Sequence, residues 1–552
     1  MIYPAFQKPK ITQWIDFSPA KLEINGFDCD YARGMLENSL DCKGDTLYID
    51  IVKENTRRME YIEESRKISG EKYIIVCEKC SDGLRITLTV SCRMGLLRAL
   101  NRVISMIKDK KFFIGEVEDY PLFAKRGYIE GFYGKPWSHE NRRMMLELMS
   151  FYGMNTYYYA PKDDPYHRDR WFDLYPKQDL LALSELSALC EERFMEFNFC
   201  IAPGLSMKYS SEEDFQKLAR KAEQLYGIGI RNFGLLVDDI PEDLWFDEDK
   251  AAFGGEAVNA HIDLVNKFND FLKQIDSRCR LTVCPLQYHG TGDEYYISKL
   301  GKGIGADISI FWTGKNICSQ ELTVREAVIF ENATNHKPLY WDNFPVNDAE
   351  MQNEMHIGYL SGRDADLYRY SEGIISNTME FALSSRIPLL TVCDYLWNPL
   401  AYNGFESWQN ACEIVLGAEK NICMPFLDNL LTSCLKVENS PMLNEMLNLA
   451  QQQFFAGDLQ GAGETVWAYI TALEKCCEKL KAVENAMISE LYPWAEKQFI
   501  ALDLLKSAIS VLSENTEENK AKTRDILQKY LAHPKTLCDF SLQAFAERML
   551  TL

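Results

Sequence analysis

The residues of this sequence best suited to chemistry are two adjacent aspartates, Asp238 and Asp239, which directly follow the apolar run Phe-Gly-Leu-Leu-Val. Two carboxyl groups side by side in a water-poor place cannot both ionise freely, so one pKa should rise and the pair should offer an acid and a base. Cleavage of a glycosidic bond needs such a pair, because one group protonates the leaving oxygen and the other supports attack at the anomeric carbon. Taken alone, an Asp-Asp dipeptide is more often a solvated turn.

Other polar and aromatic residues also stand at or just after the ends of short apolar runs. They are Gly131, Tyr133, Lys162, Tyr288, Trp341, Asn343, Asp348 and Asn377. Sugar rings offer apolar C–H faces that stack on aromatic side chains, and hydroxyl groups that suit paired donors and acceptors. Each residue has an ordinary alternative: Trp341 could belong to the core, and Lys162 could pair with Asp163 or Asp164. Their joint occurrence favours a sugar-binding site around the two aspartates.

The apolar runs before these residues predict eight β-strands. They are RGYIE, MNTYYYA, EFNFCIA, NFGLLV, RLTVCP, ADISIFW, PLYWD and EGIIS. Amphipathic stretches lie between them, and one begins at Ser210-Ser211-Glu212-Glu213-Asp214, where a serine followed by an acid three residues on is typical of a capped helix start. Strands that alternate with helices in this way indicate an α/β protein with a central (β/α)8 TIM barrel, whose active site lies at the carboxyl ends of the strands.

The sequence predicts three domains. Residues 1–118 form a small α/β domain, residues 119–400 the barrel and residues 401–552 a C-terminal helical domain. The first contains the strand-like runs TLYIDIV, EKYIIVCEK and LRITLTV and the helical stretch MGLLRALNRVISMIKD, and it closes on an extended linker, Glu118-Asp119-Tyr120-Pro121. In the third, Pro493 and Pro534 are expected to separate helices.

Charge and composition argue against two classes of partner. The chain has 60 Lys and Arg against 81 Asp and Glu, a formal charge of −21, which repels nucleic acid and anionic lipid surfaces. Its first residues, MIYPAFQKPKITQWIDF, lack a basic stretch followed by an apolar one, and no run is long and apolar enough to span a membrane. We therefore expect no nucleic acid, no membrane and a cytoplasmic location, or secretion if a leader was removed.

No metal or cofactor is predicted for the reaction. The 7 histidines form no HExxH motif, and no GxGxxG, P-loop or GxSxG sequence stands in the right context. Cys77 and Cys80 have metal-ligand spacing but lack a second pair, so we interpret them as the end of a strand. His139 is interpreted as part of a helix start, and His167 and His289 as local hydrogen-bonding groups.

Several long motifs resemble family 84 of the glycoside hydrolases, the O-GlcNAcase-like β-N-acetylglucosaminidases, some of which carry the name hyaluronidase. The motifs are RGYIEGFYGKPWSHENR, NTYYYAPKDDPYHRDRW, APGLSMKYSSEEDF, FGLLVDDIP, CPLQYHG, FWTG, YWDNFPVND and GIISN. The resemblance covers about residues 118 to 400 in uninterrupted order, and the flanking regions match the family more loosely.

The resemblance implies substrate-assisted catalysis with retention of configuration. The acetamido oxygen of N-acetylglucosamine would attack the anomeric carbon and form an oxazoline, Asp238 would orient the acetamido N–H, and Asp239 would be the general acid and then the base. The remaining roles are implied in the same way: Gly131 and Lys162 would bind ring hydroxyls, Tyr288 would hold the acetamido group, Trp341 would line the pocket, and Asn343, Asp348 and Asn377 would fix the other hydroxyls.

Two departures from the family pattern concern loop shape. Gln287 precedes Tyr288 where an acidic residue is frequent, and Thr378 follows Asn377 where proline is frequent. The natural substrate stays open between a glycoprotein, a glycan end, a cell-wall fragment and hyaluronan, and so does the oligomeric state. The competing interpretation is a catalytically weak carbohydrate-binding or scaffolding module on the same barrel.

Overall fold

A computed structural model describes residues 3–37, 40, 44–54, 61–63, 66–68, 70–431, 433–435, 439–482 and 486–551. The N-terminal part folds into a six-stranded mixed sheet in the order β1-β8-β6-β7-β3-β2, and β4 and β5 form a separate two-stranded antiparallel sheet. The elements are β1 (Lys8–Asp16), β2 (Pro19–Gly26), α1 (Cys29–Leu36), β3 (Asp45–Lys53), β4 (Tyr61–Glu63), β5 (Arg66–Ile68), β6 (Tyr73–Cys80), β7 (Gly83–Val90), α2 (Arg93–Asp109) and β8 (Lys111–Asp119).

The sheet confirms the predicted small α/β fold and corrects its linker. The predicted runs lie in β3, β6 and β7, and the predicted helix is α2. Cys77 is buried inside β6 and Cys80 ends that strand, as expected for a strand end. Glu118 and Asp119 belong to β8 instead of the linker, because Asp119 is buried and accepts hydrogen bonds from Gln7, Arg102 and Trp397.

The centre of the molecule is a closed barrel of eight strands, each parallel to its neighbours. The strands are β9 (Lys125–Glu130), β10 (Thr156–Tyr159), β11 (Glu196–Ile201), β12 (Asn232–Leu236), β13 (Arg280–Cys284), β14 (Ser309–Trp312), β15 (Pro338–Asp342) and β16 (Gly373–Asn377). Each coincides with one of the predicted runs, so the predicted TIM barrel is confirmed.

The apolar runs form strands because a barrel buries both of their faces. One set of side chains fills the barrel interior, among them Ile129, Tyr158, Cys200, Leu236, Phe311, Leu339 and Ile375. The other set packs against the surrounding helices. The polar residues that follow the strands consequently gather at one open end of a packed barrel.

Helices cover the outside of the barrel. They are α3 (His139–Phe151), α4 (Lys177–Glu192), α5 (Glu212–Gly227), α6 (Asp247–Phe253), α7 (Ala257–Ile275), α8 (Tyr295–Gly303), α9 (Val324–Thr334), α10 (Leu367–Tyr370) and α11 (Ala382–Trp397), with a 3-10 turn at Ala349–Met351. Helix α5 begins as predicted, since the Ser211 hydroxyl accepts the N–H of Asp214. His139 opens α3, which confirms its interpretation.

The C-terminal region is helical, as predicted. It contains α12 (Gly404–Leu416), a 3-10 turn (Gly417–Glu419), α13 (Lys420–Asn429), α14 (Pro441–Phe455), α15 (Leu459–Ala482), α16 (Ala486–Ser513), α17 (Glu517–Ala532) and α18 (Asp539–Thr551). Pro534 lies between α17 and α18, but the prediction for Pro493 is wrong because it lies inside α16. The adjacent Trp494 is fully buried and donates to the carbonyl of Asn353, and such tertiary contacts outweigh one missing helix hydrogen bond.

Buried ion pairs and caps join the flanking regions to the barrel. Glu71 accepts from Arg126 of β9 at 2.6 Å and from Arg98 of α2 at 3.0 Å. Glu490 of α16 accepts from the backbone N–H groups of Leu383 and Ser384 at the start of α11, which would otherwise lack partners. The barrel is therefore held on two sides, and its open end stays accessible.

Candidate active site

The open end of the barrel contains one pocket that brings all of the predicted site residues together. Its volume is about 420 Å³, which suits a small ligand such as a single sugar ring. Gly131, Lys162, Asp238, Asp239, Tyr288, Trp341, Asn343, Asp348 and Asn377 all line it, as does Tyr133. The strands position them because the carboxyl ends of parallel strands meet at one face.

Lys162 sits between the two aspartates. Its ammonium group lies 2.8 Å from Oδ2 of Asp238 and 3.8 Å from Oδ2 of Asp239, and its side chain is only 4% exposed. Burial would lower the pKa of Lys162, but the attraction of Asp238, Tyr133 and Asp239 outweighs burial and raises it. Lys162 therefore remains a cation that offsets the repulsion between the two carboxylates.

Asp239 is held by two tyrosine hydroxyls. Tyr133 donates to Oδ2 at 2.7 Å and Tyr288 donates to Oδ1 at 2.9 Å. Arg168, which sequence reasoning missed, donates to the hydroxyl oxygen of Tyr133 at 2.8 Å and to the backbone carbonyl of Asp239 at 3.3 Å. Asp239 also has a left-handed backbone with φ of 51°, a conformation that aspartate tolerates better than most residues and that is common at functional sites.

The ionisation of Asp239 differs from what the sequence suggests. Burial raises the pKa of Asp239, but Lys162, the two tyrosine hydroxyls and Arg168 together outweigh burial and hold the pKa below its usual value. The expected rise from like-charge repulsion is thus absent at Asp239, because a cation separates the pair. At neutral pH Asp239 is therefore a carboxylate in this pocket.

Asp238 has one carboxylate oxygen without a partner in the described part of the chain. Oδ2 accepts from Lys162, whereas Oδ1 is buried and accepts no hydrogen bond. An unpaired buried acceptor costs free energy of about 1–3 kcal/mol, and a ligand donor would recover it. Asp238 lies in the pocket lining, so this oxygen is a candidate acceptor for a ligand N–H or O–H.

One wall of the pocket is a connected set of amides and an indole. The amide oxygen of Asn343 accepts from the indole N–H of Trp341 at 3.0 Å and from the amide of Asn377 at 2.9 Å. The amide oxygen of Asn377 accepts in turn from the backbone N–H of Gly131 at 3.2 Å. A side chain at position 131 would clash with Trp341, since a Cβ there would lie 2.5 Å from its ring. The wall is therefore rigid and offers both an aromatic face and hydrogen-bonding groups.

Asp348 also lines the pocket. It precedes the 3-10 turn Ala349–Met351, and its Oδ2 accepts the backbone N–H of Tyr133 at 2.7 Å. Burial raises the pKa of Asp348. The contact joins two segments far apart in the sequence, so it places both Asp348 and Tyr133.

Comparison with known proteins identifies the family. The profile described as beta-N-acetylglucosaminidase matches residues 126–428, more than half of the chain. The chain belongs to the β-N-acetylglucosaminidase family. The match contains the whole barrel except Lys125, together with the pocket, so the predicted resemblance to glycoside hydrolase family 84 is confirmed.

Individual relatives agree with this assignment. The protein O-GlcNAcases of Rattus norvegicus and Mus musculus are each 28% identical over 320 residues, which is 57% of this chain and 33% of theirs. The chain thus spans about a third of the length of these relatives. A mutant O-GlcNAc hydrolase from Thermobaculum terrenum is 30% identical, with a TM-score of 0.73 over 78% of this chain and 95% of its own. The structure of CpGH84B is 25% identical, with a TM-score of 0.84 over the full length of both chains.

The structure of this β-N-acetylglucosaminidase family member also decides the partner of Lys162. Lys162 pairs with Asp238 instead of Asp164, whose carboxylate accepts from the hydroxyls of Tyr159 and Tyr175. Further residues that the sequence did not single out as site residues line the pocket, namely Cys284, Thr313, Ile317, Cys318, Val346, Ala349, Glu350 and Met351. Most of them lie at the end of a barrel strand or a few residues after it, so their positions in the sequence could have identified them as pocket residues.

Two other expectations can be compared with the structure. His167 is buried and its Nδ1 contacts the carbonyl of Cys200 at 2.7 Å, which confirms a local hydrogen-bonding role. Among the helices that the structure describes, none combines the length and the apolar character that crossing a bilayer requires.

Proposed function

We propose that this protein is a retaining β-N-acetylglucosaminidase that removes terminal N-acetylglucosamine by substrate-assisted catalysis through an oxazoline intermediate. The observation that carries the proposal is the arrangement of Asp238: one buried oxygen without a partner, beside Asp239 and between the walls of a sugar-sized pocket. A buried acceptor at this place suits an acetamido N–H, which no plain glucoside could offer.

Asp238 would orient the acetamido group for attack. Its Oδ1 would accept a hydrogen bond from the acetamido N–H and take up that proton as the acetamido oxygen bonds to the anomeric carbon. Asp238 would return the proton to the nitrogen when water opens the oxazoline. Lys162 already occupies Oδ2, so the carboxylate has a fixed direction before the substrate arrives. Tyr288 would hold the acetamido group from the other side, since its hydroxyl lies beside Asp239 in the pocket.

Asp239 would be the general acid and then the general base. As the acid it must hold a proton, whereas the contacts in this structure lower its pKa. We infer that substrate binding excludes water and draws Tyr288 toward the acetamido group, and both changes raise the pKa of Asp239. Asp239 would give its proton to the leaving oxygen as the oxazoline forms, then take one from the water that opens the oxazoline, with net retention.

The remaining residues would bind the sugar ring. Asn343, Asp348 and Asn377 would fix hydroxyl groups, with Gly131 and Lys162 as further contacts, and Trp341 would line the pocket. The natural substrate would be a glycoprotein or glycan that carries N-acetylglucosamine. The charge of −21 disfavours a polyanion such as hyaluronan, and a cytoplasmic location would favour a glycoprotein.

The decisive experiment compares leaving groups in two variants. Asp239→Ala should slow hydrolysis of alkyl and sugar aglycones by roughly 100- to 10,000-fold, while aryl glycosides of acidic phenols should be spared in the glycosylation step because they need no proton. Asp238→Ala should lose activity whatever the leaving group, since the acetamido group is no longer oriented. Asp163→Ala is the matched control, because Asp163 is exposed beside Lys162 and does not line the pocket.

Inhibition by a bicyclic analogue completes the test. A thiazoline of N-acetylglucosamine imitates the oxazoline and should bind far more tightly than the free sugar. Equal leaving-group dependence in both variants, together with no thiazoline inhibition, would refute the proposal and point to a conventional carboxylate nucleophile. A wild-type chain that binds the sugar but hydrolyses no β-N-acetylglucosaminide would instead support the carbohydrate-binding alternative.

A further inference from the structure

A second cluster of reactive side chains lies next to Met351, which lines the pocket. Glu354 and His356 follow the segment that carries Asp348, and Cys434 comes from the segment between α13 and α14. One ligand atom from each of the three lies within 4.8 Å of the other two. None of the three lines the sugar pocket, so the cluster is separate from the proposed catalytic residues.

The surroundings of His356 point to a cation. Nδ1 lies 2.7 Å from the carbonyl oxygen of Val346, and Nε2 lies 2.7 Å from Oε2 of Glu354. Both neighbours are acceptors, but a neutral imidazole can donate from only one nitrogen. The side chain is fully buried, so water does not resolve the conflict. Either a second proton or a metal ion must stand between His356 and Glu354.

The contacts around the cluster orient it as a ligand set. A histidine that binds a metal through Nε2 almost always donates its Nδ1–H to a carbonyl or carboxylate, and Val346 supplies that carbonyl here. The backbone N–H of Cys434 donates to Oε2 of Glu354 at 2.8 Å, which brings the thiol to the carboxylate. The sulfur of Met351 lies 3.4 Å from that of Cys434.

We propose that Glu354, His356 and Cys434 bind one Zn²⁺ ion. A nitrogen, an oxygen and a sulfur donor are the ligands zinc accepts at about 2.0–2.3 Å, with a fourth tetrahedral position for water or another donor. Binding would widen the contact between His356 and Glu354 and draw Cys434 inward. Zinc would replace the proton between Nε2 of His356 and Glu354, and the Cys434 thiol would lose its proton as the zinc–sulfur bond forms; both protons pass to solvent and no electrons are transferred.

Such an ion would connect the helical region to the pocket. Val346 and Asp348 line the pocket and belong to the same segment as Glu354 and His356, while Cys434 lies beyond α13. The segment is already attached to the helical region through Trp494 and Lys535, which donate to the carbonyls of Asn353 and Gln352. Zinc would add one more tie between this segment and the helical region, and it would take no part in hydrolysis, because the backbone N–H of Tyr133 already holds Asp348 in place.

The test measures metal binding directly on the full-length, tag-free chain after treatment with chelator and reductant. Wild type should bind one Zn²⁺ at micromolar concentration, and Co²⁺ in its place should give a thiolate-to-cobalt charge-transfer band. Cys434→Ser, at an exposed position, should abolish the band and weaken zinc binding by roughly tenfold or more. Glu354→Gln should weaken zinc binding similarly, because it removes the charged oxygen ligand. It should keep the local structure, since the amide oxygen can still accept from the backbone N–H of Cys434.

The control is Cys80→Ser, which removes a partly exposed thiol from β6, far from the cluster in the sequence. It should bind zinc and cobalt like wild type. The proposal is overturned if wild type binds no zinc at micromolar concentration, or if Cys434→Ser keeps the cobalt band. It is also overturned if Cys80→Ser removes that band. These measurements do not involve hydrolysis, so their failure would leave the proposed function untouched.

Discussion

Removal of one hydroxyl should move the alkaline limb of the pH profile. Tyr133→Phe deletes the donor that lies 2.7 Å from Oδ2 of Asp239 and leaves Tyr288 in place on Oδ1. The hydroxyl stabilises the carboxylate form, so its loss raises the pKa of Asp239. A general acid works only when protonated, and its activity falls as the pH rises through its pKa. The variant should therefore stay active to higher pH than wild type.

The size of the shift follows from the strength of that hydrogen bond. A bond to a charged acceptor is worth about 1.5–3 kcal/mol. The Asp239 side chain is 31% exposed, so water can replace part of it. A net loss of about 1.4 kcal/mol corresponds to one pKa unit. We expect the alkaline limb of kcat/KM to move up by about one pH unit.

The assay is kcat/KM against pH with an alkyl or sugar aglycone, for which protonation of the leaving group limits the rate. Tyr226→Phe is the matched control, because Tyr226 also donates to an aspartate, Asp276, outside the pocket lining. The control should leave the limb in place. An unmoved limb in a folded Tyr133→Phe variant, or a limb moved to lower pH, would show that Asp239 is not the titrating acid.

Three further predictions concern the sugar contacts, metals and stability. Asp348→Ala should lose roughly ten- to a hundredfold in kcat/KM with the fold intact, because charge-assisted hydrogen bonds to the sugar disappear; a folded variant with wild-type efficiency would contradict a role for Asp348 in binding. EDTA should not change the rate of hydrolysis of aryl β-N-acetylglucosaminides. In the described part of the chain, the one set of side chains able to hold a metal, Glu354, His356 and Cys434, lies outside the pocket. A rate that collapses in EDTA and returns with a divalent ion would contradict this prediction. Asp342→Ala should lower the free energy of unfolding by about 3–5 kcal/mol, as measured by chemical denaturation. The two side chains are each 3% exposed, so the substitution leaves the Arg363 guanidinium buried without its carboxylate partner. An unchanged denaturation midpoint would show that water or backbone groups compensate.

Much of the barrel could be predicted because its signals are local. Each strand is a short apolar run that a barrel buries on both faces, and each is followed by residues that suit a site. The start of α5 could be predicted for the same reason, since the Ser211 hydroxyl accepts the N–H of Asp214 within one helical turn. Local patterns failed at Pro493, where they predicted a break that helix α16 does not have. The adjacent Trp494 donates to the carbonyl of Asn353, and a contact so distant in the sequence cannot be inferred from a local pattern.

The sequence by itself determined the strand order, the adjacency of Asp238 and Asp239 and the set of residues at the barrel mouth, because a parallel barrel brings all strand ends to one face. Only the tertiary structure decided how those residues pair. Lys162 joins Asp238 instead of its neighbours in the chain, Tyr133 reaches Asp239, and Cys434 meets His356, all across long stretches of sequence. Such contacts depend on loop paths between rigid elements, and those around Asp239 lower the pKa of its carboxyl group.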